Sequence, residues 1–185
     1  MTALLHTFVG GTAGMWSVED MRVIVGQALP SAPRLSIYES HQTPSPVGGI
    51  WFLRGVNSYE RYMHKMERSA LVAQQAQLGR LEATRAALIA IKKSPAWCEL
   101  AQDERRVIFE ERSHHISIGL KYVARIARRL YHGHDLGEPF DFLTWFEYAS
   151  TDAEAFEELV GKLRETEEWT YVEREVDIRL VRSGK

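Results

Sequence analysis

The order of hydrophobic patterns between residues 86 and 181 narrows the fold most sharply. Ala86 to Ile91 is an apolar run of strand length, Gln102 to Ser113 is charged and amphipathic with helical spacing, and Ile118 to Tyr131 reads as a second helix. Phe142 to Tyr148 alternates aromatic and polar residues as a strand does. Asp152 then caps a helix running through Leu163, and Tyr171 to Val181 alternates again as a long final strand. Strand, helices, strand, helix, strand is a ferredoxin-like plan, in which a sheet hides one apolar face beneath helices on its outer side.

The first half carries a weaker version of this pattern. Leu4 to Val9, Arg34 to Tyr38 and Ile50 to Val56 read as strands, with a Pro- and Gly-rich turn at Thr43 to Gly49. Ser17-Val18-Glu19-Asp20 reads as an N-cap with acidic residues opening a helix. Residues 59 to 83 fit either a strand with a loop or a helix. The expected fold is α+β: two ferredoxin-like repeats in one compact unit, a reduced repeat over residues 1–83 and a C-terminal repeat over 84–185. Gly10 to Gly14 follows a strand but lacks the Gly-Lys-Ser/Thr ending of a phosphate loop, so it reads as a turn.

Charge excludes some classes of partner. Against 25 acidic residues stand 23 basic ones, a formal charge of −2, so no global field points to nucleic acid or an anionic membrane, and any attraction for an anion must be local. The single cysteine, Cys98, excludes an intrachain disulfide framework and a multi-cysteine metal cluster. No stretch approaches the eighteen apolar residues of a membrane span, and the N-terminus lacks a basic segment followed by an apolar one. A cytoplasmic location is expected.

The residues suited to chemistry cluster in the second half. His114-His115 precedes Arg128 by thirteen residues counted from His115. A neutral imidazole is a good axial donor to haem iron, and a guanidinium is a permanent cation with several donors for an oxyanion. Were the intervening segment helical, the two would lie about 20 Å apart, room for a flat cofactor between them. Adjacent histidines rarely share a target, so His114 competes with His115. Arg128 also stands in a basic run with Arg125 and Arg129, as a solvated helix face would.

Six segments read together say more: Trp51 to Val56, Ala87 to Ser94, Ile108 to Glu111, Ile126 to His132, Phe140 to Tyr148 and Glu168 to Glu175. As a set they resemble the short clade of the chlorite dismutase family, over most of residues 50 to 182. The resemblance implies a dimeric α+β barrel-type fold, a homodimer, and haem b as cofactor. It implies conversion of the small anion chlorite to chloride and dioxygen, through a ferryl intermediate and a retained hypochlorite. His115 then matches the proximal iron ligand, and Arg128 matches the distal catalytic arginine. Glu168, with Glu167 as its neighbouring alternative, matches the carboxylate accepting the ligand's ring N–H. Lys93 matches a lysine holding that carboxylate or a haem propionate, and Trp97 an aromatic beside the haem. Gln74 or Gln75 is a candidate partner of the distal arginine, while Trp145 and Trp169 are expected in the core or a subunit contact. Cys98 stands where the family often has a second aromatic. Rival readings are a coproheme decarboxylase, which would need a catalytic tyrosine and a neutral residue at position 128, a haem-binding protein without turnover, and a cofactor-free barrel binding small organic molecules.

Overall fold

Runs rich in β-branched and aromatic residues, broken by glycine and proline, fold into eight strands. These are β1 (Leu5–Gly11), β2 (Trp16–Val25), β3 (Arg34–Ser40), β4 (Gly49–Val56), β5 (Arg85–Lys93), β6 (Ala127–His132), β7 (Phe142–Tyr148) and β8 (Val172–Arg182). The structure is a computed structural model and describes residues 4–40, 48–57 and 61–183. All the pairings are antiparallel, and the strands close into a barrel in the order β4-β1-β3-β2-β8-β5-β7-β6, with β6 returning to β4. Within each half the order is fourth, first, third, second, which is the ferredoxin-like arrangement used twice.

The helices are α1 (Lys65–Gln74), α2 (Pro95–Glu99), α3 (Gln102–Arg106), α4 (His115–Leu120) and α5 (Ala153–Arg164), with π-helical turns over Val107–Arg112 extending α3. In the first half, β1 and β2 are joined by residues 12–15 alone, too few for a helix. The N-terminal repeat is therefore reduced, as its sequence suggested.

The period of two along each strand gives the barrel wall two different faces. Inward go Phe8, Trp16, Leu53, Leu88, Trp145 and Ile178, all essentially inaccessible to water. Outward from β5 and β7 go Ala87, Ile89, Ile91 and Phe146, which meet Phe156, Leu159, Val160 and Leu163 of α5. Those four positions repeat at helical spacing, and burying each side chain contributes about 1.5–3 kcal/mol. Beside them β8 turns Glu175 and Asp177 outward into full burial, where Arg164 of α5 bonds both, at 2.5 and 2.7 Å.

Two expectations are corrected. Ser17 to Asp20 does not open a helix, because it lies inside β2, whose ladder with β8 runs from Trp16 to Val25 around two bulges. Local cap chemistry yields there to long-range pairing. The helix expected over Ile118 to Tyr131 stops at Leu120, continues as turns through Ile126, and gives way to β6. Ile118, Tyr122 and Ile126 do keep helical spacing on the α5 side, but residues 127–132 pair fully with β7. The unassigned stretch contains α1.

Gly10 lies opposite Trp51 in the β1–β4 ladder, and a Cβ there would sit 2.0 Å from the indole. Gly10→Ala should therefore destabilise the barrel by about 1–3 kcal/mol, the usual cost of overpacking, measured as a lower urea midpoint with an unchanged slope.

Candidate active site

The site grows from the outer face of the second repeat. On β6 the outward residues are Arg128, Leu130 and His132; on β7 they are Phe142, Thr144 and Phe146; on β5, Ile89, Ile91 and Lys93. These three rows form the floor of a cleft with about 270 Å³ of free interior, walled by Trp97, Phe109, His115 and Trp169 and partly roofed by Leu71 and Gln75. Arg128 stands level with Phe146 and Ala87, whereas His132 stands level with Phe142 and Ile91. Four residues of strand put about 13 Å between them, so the guanidinium and the imidazole occupy different ends of the floor.

His115 is the first residue of α4, and the residue before it, His114, takes up a left-handed conformation with φ 54° and ψ 32°. Such a conformation costs a non-glycine residue of order 1–3 kcal/mol, and here it turns the chain so that the two histidines diverge. His114 is exposed, and His115 enters the cleft. Phe109, from the π-helical turns, stacks on the His115 ring at 4.2 Å between centroids and 21°, and Trp169 lies nearly parallel to it at 6.5 Å. Nδ1 of His115 is 2.6 Å from Oε2 of Glu168, so a protonated Nδ1 donates to that carboxylate. Nε2, on the opposite side of the ring, has no hydrogen-bond partner among the described residues and is left for the cleft.

Glu168 is 4% exposed and lies in the short 3-10 turn Glu167–Tyr171 that precedes β8. The tight turn sends Glu167 to the surface, where it pairs with Arg112, and Glu168 inward. Its second oxygen accepts from Lys93 Nζ at 2.7 Å, and its backbone N–H donates to Ser113 Oγ at 2.9 Å. Burial pushes the Glu168 carboxyl up, but the charges of His115 and Lys93 and their hydrogen bonds outweigh it and hold the group at about 2. Glu168 is thus ionised at neutral pH and accepts from the His115 ring at Nδ1, leaving Nε2 as the ring atom for the cleft.

Lys93 also stands over the Trp97 ring, 4.6 Å from its centroid, and its backbone N–H is fixed by Asp141 Oδ2 at 2.7 Å. Gln75 reaches the β6 wall and donates to the backbone carbonyl of Arg128 at 2.6 Å, while Gln74 is exposed. Trp145 is in the barrel core as expected; Trp169 packs against the α5 core cluster and also lines the cleft, with its indole N–H on Glu175 at 2.7 Å. Arg128 sits on a strand and not on a helix, so the 20 Å helical span between it and His115 does not apply. Helix and strand instead meet across one cleft.

The chain matches the family model for chlorite dismutase over residues 30–183. The chain belongs to the chlorite dismutase family. Its structure is similar to the crystal structure of a dimeric chlorite dismutase from Nitrobacter winogradskyi, with 57% sequence identity over 96% of this chain and 99% of that one, and a TM-score of 0.89. It also has the fold of chlorite dismutase from Candidatus Nitrospira defluvii in complex with imidazole, at 17% identity over 97% and 92% of the two chains, TM-score 0.70. Among curated proteins no match is found.

Three residues of this family member take places that its sequence did not assign. Phe109 and Glu110 fall in one of the matching segments, but nothing in their spacing showed that one would stack on a histidine and the other be buried. Thr144, a polar residue in the middle of the floor, is a strand residue like its neighbours until the register sets it between Leu130 and Ile89.

His132 supplies a pH test. Burial pushes its imidazole below the ordinary 6.5, Arg61 adds to that, and Asp135 opposes it. The unfolded state then binds the proton more readily, so stability from this group is complete above about pH 6.5 and is lost as pH falls through the lower folded value. In unfolding titrations, wild type should lose stability relative to His132→Phe as pH drops below 6.5, while the gap between them stays constant above it. A gap independent of pH across that window would contradict the burial argument.

Proposed function

We propose that this chain is a haem b chlorite dismutase that converts chlorite to chloride and dioxygen, with His115 as the residue that would hold the iron and Arg128 as the catalytic cation. The observation that carries this reading is the pairing, in one cleft, of an imidazole whose Nδ1 is held by a buried carboxylate with an arginine on the facing strand. The family match and the 57% identity to a dimeric chlorite dismutase support it.

The residues fit the cofactor. A single imidazole suits a metal that brings its own four equatorial nitrogens. The lining is largely apolar, with Ile89, Ile91, Phe109, Ile116, Val123 and Leu163 in it, as a porphyrin face requires. When bound, the haem would supply the redox centre that accepts an oxygen atom from chlorite and returns it. Lys93 and Trp97 line the same cleft and would be among the residues that hold the haem.

The protein's own residues do the rest. Glu168 accepts from His115 Nδ1, which makes Nε2 a stronger donor, and Lys93 occupies the other carboxylate oxygen and so fixes which one meets the ring. Arg128 attracts the chlorite anion and orients it with guanidinium hydrogen bonds that no pH change switches off. It would also retain hypochlorite formed at the site, so that the anion does not escape before dioxygen is released. An escaped hypochlorite would oxidise tryptophan, methionine and the cofactor itself. The apolar walls exclude water and strengthen these contacts. We also propose that the functional unit is a homodimer. Light scattering should give a mass near two chains, and a much larger assembly would refute it.

The test is dioxygen release on an electrode after chlorite is added to haem-loaded protein. Wild type should evolve dioxygen rapidly, and His115→Ala should lose both the wild-type haem spectrum and activity. His114→Ala should keep both. Arg128→Ala should keep haem but inactivate after fewer turnovers, with hypochlorite detected by a chlorination probe. Haem binding without dioxygen, together with propionate loss from coproheme on adding peroxide, would transfer the site to haem synthesis.

A further inference from the structure

The short helix that carries His115 begins in an unusual way. In a helix start the N–H groups of the second and third residues lack partners within the helix, and the residue before the helix commonly caps them with its own side chain. Here that residue is His114, which makes no such bond. Glu110 caps the helix instead, from five residues further back. Its Oε2 accepts the Ile116 N–H at 2.5 Å, and its Oε1 accepts the Ser117 N–H at 3.2 Å and the Ser117 hydroxyl. The Glu110 backbone carbonyl accepts the His114 N–H at 2.9 Å.

Glu110 is buried although it carries a carboxylate, and it touches neither the cleft nor the imidazole. The same few residues fix both members of the His115–Glu168 pair, since Ser113 accepts the Glu168 N–H. The turn between them holds His114 in a left-handed conformation that relaxes if its surroundings loosen. Phe109, next to Glu110 in sequence, supplies the ring stacked on His115.

We propose that Glu110 is a positioning residue for the axial histidine. It clamps the first turn of α4 so that Nδ1 of His115 meets Glu168 and Nε2 is aimed into the cleft. The proposal rests on the reading of His115 as the iron ligand. It adds a second buried carboxylate to the support of that ligand, one that acts through the backbone and not through the ring.

The test uses the full chain loaded with haem b, and compares wild type with Glu110→Ala, Glu110→Gln and His115→Ala. Two readouts besides activity decide it: haem affinity from Soret titration, and the iron–histidine stretching band of the ferrous protein in resonance Raman spectra. Glu110→Ala leaves the buried Ile116 N–H, and the Ser117 N–H beside it, without the carboxylate acceptor. It should weaken haem binding about tenfold and shift or broaden the band. Glu110→Gln keeps one oxygen for those groups and should recover much of both. If Glu110→Ala binds haem with wild-type affinity and an unaltered band, the proposal is overturned, even if its melting temperature falls. Should Glu110→Ala fail to fold, Glu110→Gln decides by the same readouts: a partial shift supports the proposal, and wild-type values overturn it. If His115→Ala keeps the wild-type spectrum and band, the ligand reading itself is wrong and the proposal falls with it. Loss of both in His115→Ala, beside wild-type behaviour in the Glu110 variants, removes the proposal alone.

Discussion

The hydrogen-bonded chain from Lys93 through Glu168 to His115 is the interaction on which the site depends. Its members come from the end of β5, the turn before β8 and the start of α4, so each bond ties together parts of the chain that are distant in sequence. An ion pair this buried costs about 3–5 kcal/mol to break from one side, because it leaves an unpaired charge without water. Its worth lies in direction more than in net stability: a carboxylate held by a lysine on one oxygen can present only the other to the imidazole.

That arrangement is possible because one sheet serves two cores. Inward side chains of β5 to β8 complete the barrel, while outward ones, one residue along, form the cleft floor and the seat of α5. A strand slipped by a single position would exchange the two sets and put Arg128 and Lys93 into the barrel. The full ladders of β5 with β7 and of β5 with β8 forbid such a slip and thereby set the geometry of the site. The first repeat, which has no room for a helix between β1 and β2, supplies the other half of the barrel, and the second repeat carries the helices that wall the cleft.

Much of this was legible in the sequence, and the exceptions have physical reasons. Phe142 to Tyr148 and the terminal strand were readable because their alternation is regular, even though the terminal strand pairs with β2 of the first repeat as well as with β5. The helix after Asp152 was readable because Phe156, Leu159, Val160 and Leu163 form one apolar stripe. Ser17 to Asp20 and residues 127–132 misled because short segments with good local helix signals were claimed by strand partners far away in sequence, Leu180 and Phe146 among them. Trp169 was expected in the core or a subunit contact, because a tryptophan between Glu168 and Thr170 gives no sign of which neighbours it will meet.

By itself, the sequence determined which residue types were present and in what local order: the paired histidines, the arginine run, the buried-strand patterns and the set of segments that mark the family. Those are properties of composition and short spacing, which act before the chain has folded. The family resemblance matched His115 and Glu168, but only the tertiary structure supplies a physical reason why these, and not His114 and Glu167, face the cleft. In each pair the neighbours are chemically alike, and the choice rests on backbone direction, set by a left-handed residue in one case and a tight 3-10 turn in the other. Direction is fixed by packing and hydrogen bonds to remote parts of the chain, as Glu110, Ser113 and Lys93 show.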